Sequence, residues 1–188
     1  HLAGAGVADK RWSAKRKQEI ISSRVLSSKL IVDSLKNIPN NVQAVISASA
    51  IGWYGPDPEI PNTHPFREEA PGHNDFLGTT CRQWEESIEP VRQQGKRLVK
   101  LRIGIVLSKQ GGALKEFLKP LRFGVAAILG SGRQTISWIH IDDLVKLYIA
   151  AIENGSMEGA YNAVAPNPVS NKELTLTLAR SRKKFFFF

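Results

Sequence analysis

Cysteine is nearly absent. Cys81 is the one thiol in 188 residues, so no disulfide can form within the chain and no cysteine-rich metal site can be built. A reducing compartment fits, and the cytoplasm is the expected one. No apolar run approaches the ~20 residues that a membrane-spanning helix needs, and the opening HLAGAGVADKRW lacks the basic, apolar, small order of a signal peptide. No membrane association is expected. Histidine is scarce as well: His140 precedes Asp142 and Asp143, but no second histidine stands at ligand spacing, so no metal site is expected. Carboxylates are few against cations, 17 to 26, for a net charge of +9. Such a balance would suit an anionic partner through long-range steering. The basic clusters are Lys10, Arg11, Lys15, Arg16 and Lys17 and, near the other end, Arg180, Arg182, Lys183 and Lys184. Aromatic residues do not interleave with them in the way that single-strand binders need, and nucleic acid is not an expected partner.

What is present is ordinary globular composition, with 42% hydrophobic residues, enough for the core of one domain. Ser13 offers an N-cap, and Ile20, Ile21, Val25, Ile31, Val32 and Leu35 recur at helical spacing up to Pro39. Val42 to Ser49 reads as a buried strand ending in small residues. Gly55 to Asp75 holds five prolines and reads as a long loop. Leu77, Thr80, Cys81, Trp84, Ile88 and Val91 mark a helix reaching about Gln94, and Arg97 to Leu107 reads as the next strand. A short helix follows Gly111 and Gly112 through Leu118, where Pro120 is expected to stop it. Gly124 to Ser137 reads as irregular or hairpin structure, Asp142 or Asp143 as a helix start, Ala160 to Val164 as a strand, and Asn171 as the start of the last helix, because Ser170 and Glu173 have capping-box spacing. Alternating helices and near-continuous apolar strands argue for a parallel sheet with helices on its faces. The opening reads as the end of a buried strand running into a glycine turn, His1 is not an initiator Met, and Phe185 to Phe188 would be an exposed apolar patch. A piece of a longer chain is therefore the expectation.

Open parallel sheets take ligands beyond the carboxyl ends of their strands. Three strand ends draw attention: His1 to Gly6, Ser47 to Gly55, and Arg102 to Leu107. HLAGAG carries little bulk and would let backbone approach a flat ligand, although a plain glycine turn would look the same. SASAIGWYG groups the hydroxyls of Ser47 and Ser49 with the phenol of Tyr54. A hydroxyl there can donate to a substrate carbonyl or alkoxide as charge develops. The plainer reading is that Ser49 caps the turn while Trp53 and Tyr54 pack as lining. Asp142 and Asp143 are most simply the acidic first turn of a helix.

The runs HLAGAG, RWSAKRKQEIISSRV, SASAIGWYG, DFLGTTCRQWE, LRIGIVLS, GGALKEFLKP, GSGRQTISWIHIDDL and YNAVAPNPVSNKE, in this order, resemble the extended short-chain dehydrogenase/reductase superfamily of the NAD-dependent epimerase/dehydratase type. More narrowly they are similar to its nucleoside-diphosphate-sugar epimerase or cell-division inhibitor-like branch. The resemblance implies a Rossmann-type, doubly wound α/β fold that binds NADP or NAD and a small polar or nucleotide-sugar-like substrate. Its first strand and glycine-rich loop would lie upstream of His1, so that the chain by itself would hold the cofactor weakly or not at all. Residues 108–140 and 165–188 would contribute to a substrate-side subdomain, and pairing of two identical chains is left open. Cofactor contacts are implied for His1, Leu2, Ala3, Gly4, Ser47, Arg102 and Gly104, with Arg133 and Trp138 on the substrate side. Ser49 matches the superfamily's Ser or Thr at the strand end. The helix that follows sets Leu77 where the usual Tyr would stand and Cys81 where the usual Lys would stand, so the Tyr-x-x-x-Lys pair is missing. Either another group, with Tyr54 nearest, supplies the proton, or the scaffold binds NADP without the usual catalysis.

Overall fold

A computed structural model describes residues 1–181. In chain order the elements are α1 (Ala14–Asn37), β1 (Ala44–Ala50), α2 (Phe76–Ile88), β2 (Arg97–Ile103), β3 (Ile105–Ser108), β4 (Gly111–Gly112), α3 (Ala113–Arg122), β5 (Thr135–Ile136), β6 (Trp138–His140), α4 (Ile141–Glu153), β7 (Gly159–Ala163), β8 (Val169–Ser170) and α5 (Asn171–Ser181). The chain divides into two compact units. One takes in His1–Gly55, Arg67–Arg102 and Tyr148–Asn162; the other takes in Pro56–Phe66, Ile103–Leu147 and the described part of Ala163–Phe188.

The first unit is built on a sheet of order β1-β2-β7. Arg97 N donates to Gln43 O at 3.0 Å, joining the starts of β1 and β2, which therefore run parallel. His1 continues this pattern on the other edge of β1: its amino group donates to Ile46 O at 2.7 Å, and its carbonyl accepts from Ala48 N at 2.9 Å. On the face covered by α1 and α2, Val45, Ile88, Val91 and Leu98 form a buried cluster, packed against Ile31, Val32 and Leu35 of α1. Burying each of the four clustered side chains stabilises the unit by about 1.5–3 kcal/mol. Ser13 caps α1 by accepting from Arg16 N at 3.2 Å, and Asp75 caps α2 by accepting from Gly78 N at 2.7 Å.

The second unit holds smaller sheets: β3 pairs antiparallel with β4 and parallel with β6, and β5 pairs antiparallel with β8. Leu121, Ala126 and Ala179 make its buried cluster, with Leu118 and Leu178 against it.

Three expectations are corrected by the geometry. The strand expected over Arg97 to Leu107 breaks at Gly104, whose N–H bonds to Ala163 O, whereas the next N–H, of Ile105, bonds to Ser137 O. A Cβ at Gly104 would come within 2.6 Å of Ser137 O, so the change of partner needs a glycine. The helix expected to reach Gln94 gives way at Glu89 to 3-10 geometry, because Pro90 has no N–H to continue the α-helical ladder. Pro120 lies inside α3 instead of stopping it, and the helix ends two residues later. The Pro120 carbonyl takes the N–H groups of Phe123 and Val125, closing the helix end. The segment from Gly124 to Ser137, expected as irregular or hairpin structure, is irregular, and its short strand, β5, pairs with β8. Of the second basic cluster, Arg182, Lys183 and Lys184 lie outside the described residues, as do Phe185 to Phe188.

Candidate functional site

Along β1 the side chains of Val45, Ser47 and Ser49 share a face, the one that meets α2. Their small size beyond Val45 lets the helix approach closely. Ser49 is 2% exposed, and its hydroxyl donates to Glu85 Oε1 of α2 at 2.7 Å. Glu85 in turn is gripped by Arg102, at the end of β2, through Nε to Oε1 at 2.9 Å and Nη2 to Oε2 at 3.2 Å. Two buried charges in a fork-to-fork pair satisfy each other's hydrogen-bonding needs, which an isolated buried charge could not do. Lys100, two residues back on the same face, reaches Glu85 Oε2 at 3.6 Å and Glu89 Oε2 at 2.9 Å. Two cations and two carboxylates balance there.

The third arm of Arg102 continues the run. Nη1 donates to the Tyr54 hydroxyl at 3.1 Å and to Glu68 O at 2.9 Å, and Tyr54 donates to Asn162 Oδ1 at 2.6 Å. Asn162 is anchored by its own N–H on Glu68 Oε1 at 2.8 Å. The guanidinium plane lies over the Trp53 ring at 3.8 Å, a stacking arrangement that suits a delocalised cation. Burial alone pulls the Arg102 pKa down, and its bonds to Glu85 and Tyr54 more than reverse this, so the net movement is upward. Arg102 stays charged.

Cys81, one turn before Glu85, is 4% exposed and points its thiol at Ala50 O, 3.6 Å away. Burial first, and the Glu85 charge second, push the thiol up to about 11. A neutral, buried thiol supplies neither a cation nor a thiolate.

The turn after His1 is fastened to α1 and α2. His1 Nε2 lies 3.0 Å from Ser28 Oγ and takes the Trp84 indole N–H at 3.3 Å. Ala5 N donates to Ser23 Oγ, Ala5 O accepts from Arg24, and Gly6 O accepts from Arg16. Leu2, Ala3 and Gly4 remain exposed. A Cβ at Gly4 would meet the Arg24 guanidinium carbon at 3.0 Å. The turn is thus a fixed, low-profile stretch of backbone, which suits a flat ligand.

Of the residues singled out in the sequence, Ser49, Tyr54 and Arg102 are joined in one hydrogen-bonded run. Ser47 is buried beside them on β1, its hydroxyl turned to Ala48 O. His1 to Gly4 form the exposed turn of the same unit. Gly104, Arg133 and Trp138 belong to the other unit, where Arg133 is exposed and the Trp138 indole donates to Asn167 O at 3.1 Å. Ser49 does not cap the turn that follows it; its hydrogen goes to a carboxylate. Glu68, Lys100 and Asn162 were missed, and Glu85 stood only as the last residue of the run DFLGTTCRQWE. One signal was available: after Arg97, RLVKLRI sets Lys100 and Arg102 on one face of a strand whose other residues are apolar, and buried cations need carboxylate partners. Among the described residues, no group of three or more metal-type side chains clusters, and no helix is long and apolar enough to cross a membrane.

A sequence model of the NAD dependent epimerase/dehydratase family matches residues 1–163. The chain belongs to that family, and its fold is the Rossmann-type α/β fold of the extended short-chain dehydrogenases. It is 38% identical to an epimerase family protein SDR39U1 homolog, chloroplastic, of Arabidopsis thaliana, over 93% of this chain and 49% of the relative. It is 37% identical to the epimerase family protein SERP0438 of Staphylococcus epidermidis, over 98% of this chain and 60% of the relative. The crystal structure of human epimerase family protein SDR39U1 (isoform2) with NADPH matches with a TM-score of 0.90 at 28% identity, covering 100% of this chain and 63% of that one. The nucleoside-diphosphate sugar epimerase of Corynebacterium glutamicum matches with a TM-score of 0.81 at 38% identity, covering 96% and 37%. The chain therefore spans about half to three-fifths of the length of these curated relatives.

Proposed function

We propose that the protein binds NADP or NAD and acts as an epimerase- or reductase-like catalyst on a small polar or nucleotide-sugar-like substrate, without the Tyr-x-x-x-Lys pair usual in its superfamily. The observation that carries this reading is the run of bonds from Ser49 through Glu85 and Arg102 to Tyr54. In this reading the cofactor lies along the exposed Leu2 to Gly4 turn of the first unit. When bound, the nicotinamide supplies hydride transfer.

The chain's own residues handle the proton. Because Ser49 already donates its hydrogen to Glu85, its lone pairs are left to accept one from a substrate hydroxyl. As the substrate O–H breaks toward Ser49 Oγ, the Ser49 proton passes to Glu85 Oε1; in the reductive direction both move back. Arg102 holds the carboxylate in place, and Tyr54 holds Arg102 from the far side. The reading carries a cytoplasmic setting, consistent with a single unpaired thiol.

Titration calorimetry with NADPH, on protein expressed from the complete reading frame, tests the binding half; no heat at millimolar nucleotide refutes it. A panel of carbonyl compounds and sugar nucleotides, followed by NADPH absorbance, tests the chemistry. Ser49→Ala is expected to lower kcat by about 100-fold or more, the scale of a lost proton-transfer group. An unchanged kcat removes Ser49 from the mechanism.

The Cys81 geometry favours a second reading. With Leu77 and a neutral, buried Cys81 at the superfamily's Tyr and Lys positions, the scaffold would serve as a non-catalytic NADP sensor or interaction module. Tight NADPH binding with no turnover across the panel selects that reading.

A further inference from the structure

Two buried arginines of this unit, Arg16 and Arg102, are paired with acids, whereas among the described residues the half-buried Arg24, Arg82 and Arg97 are not. Arg16 pairs with Glu19 at 2.8 Å and Arg102 with Glu85 at 2.9 Å. Arg24 is partly buried, yet among the described residues it has no carboxylate partner. Its Nη1 donates to Ile20 O at 2.9 Å and Ala5 O at 3.0 Å, and its guanidinium lies over the Trp84 ring at 4.9 Å. Nε and Nη2 make no bond among the described residues, and neither is sealed from solvent. Burial pulls the Arg24 pKa down, and the charge of Arg16 acts in the same sense.

The position of this cation gives it a use. Gly4 is laid against it so closely that a Cβ would come within 3.0 Å of Cζ and 3.2 Å of Nη1. The charge therefore sits directly beneath the exposed Leu2 to Gly4 turn, where the segment that pairs with β1 through His1 ends. That is the edge at which open parallel sheets take their ligands. Position 81, on the neighbouring helix, brings an uncharged thiol to the same corner, so the positive charge available there comes from α1.

We propose that Arg24 is a binding residue for the dinucleotide, with Nε and Nη2 donating to acceptor oxygens of the nucleotide seated on the His1 to Gly4 turn. The proposal rests on the dinucleotide reading above and goes beyond it by assigning the cation. A planar fork with one arm fixed on Ala5 O is held in orientation before the ligand arrives, so little rotamer freedom is lost on binding.

The test is NADPH titration of the protein from the complete reading frame and of three variants, with melting temperatures measured alongside. Arg24→Met is expected to weaken NADPH binding by about tenfold or more, the scale of a lost charge-assisted hydrogen bond. Ser23→Ala removes the other tie to Ala5 without touching the guanidinium and is expected to weaken binding less than about threefold. Arg24→Gln keeps a donor for Ala5 O and provides the same comparison if the methionine variant does not fold. A loss in Arg24→Met that shrinks at high salt assigns the acceptor to a phosphate, and a loss that persists assigns it to a ribose hydroxyl. Arg24 variants that bind as tightly as the parent, or no worse than Ser23→Ala, overturn the proposal. A parent protein that binds no NADPH instead strikes the dinucleotide reading, an outcome recognised before any variant is compared.

Discussion

At the scale of single residues, the buried pair of Glu85 and Arg102 sets the largest energy. They are 4% and 3% exposed and bonded at two points, so removing one partner strands a charge in the interior. Glu85→Leu is expected to cost about 3–5 kcal/mol in urea unfolding, whereas the double variant with Arg102→Met should recover much of that loss, because the desolvation penalty goes with the charges. If the double variant is no more stable than the single one, the cost lies in packing and not in charge. Cys81 sets a smaller and pH-dependent effect. Its folded pKa of about 11 lies above the ordinary value of 9.0, so the folded state holds its proton more tightly than the unfolded state. The stabilisation is fully present below about pH 9 and is lost as pH rises toward 11. Cys81→Ala should flatten that alkaline decline, on the order of 2 kcal/mol, in melts run across this window. An unchanged slope would assign the decline to other groups.

At the scale of elements, α2 and α4 carry the informative strain. Gly78 lets the loop ahead of α2 pack against the first turn of the helix: a Cβ there would collide with the His73 carbonyl. Backbone cannot yield as a side chain can, so Gly78→Ala should destabilise by about 1–3 kcal/mol despite the better helix propensity of alanine. On α4 the Tyr148 hydroxyl is buried without a hydrogen-bond partner among the described residues, and burial pushes its pKa up to about 12. Tyr148→Phe should be neutral or stabilising by up to about 1 kcal/mol, since it removes a desolvated polar atom and leaves the ring; a clear loss of stability in denaturant melts would show that the hydroxyl has a role. Helix ends were legible in the sequence where a side chain closes them: Ser13 caps α1, and Ser170 Oγ accepts from Glu173 N at 3.1 Å, at the start of α5. The break at Gly104 was not legible, because it depends on Ser137 and Ala163, partners far away in sequence. The same holds at the candidate site. Ser49 and Tyr54 could be picked out from SASAIGWYG alone, but that Ser49 gives its hydrogen to Glu85 depends on how α2 is set against β1, a tertiary fact that no local pattern encodes.

At the scale of the whole molecule, the two units divide the chain's tasks in a way that ligand binding can report. The buried run from Ser49 to Tyr54, the His1 to Gly4 turn and Arg24 all belong to the unit that contains α1, β1, α2 and β2. A nucleotide that binds the folded state alone stabilises it by mass action, about 2.7 kcal/mol at a hundred times its Kd. Local openings that expose the binding segments are suppressed by the same linkage, whereas openings of segments that do not touch the ligand are not. Hydrogen exchange of the protein with and without NADPH should therefore slow over residues 1–12, where the turn is tied to α1, and over residues 47–55, where β1 ends in Ser49 and runs on to Tyr54. Exchange within α3, whose buried Leu121 packs with Ala126 and Ala179 of the other unit, should change little. Protection confined to α3 and α5 would move the nucleotide away from the Ser49 to Tyr54 run and leave that run a structural one. Equal slowing everywhere would mean that the protein opens only by unfolding as a whole, and the site would then have to be located from the Arg24 and Ser49 variants.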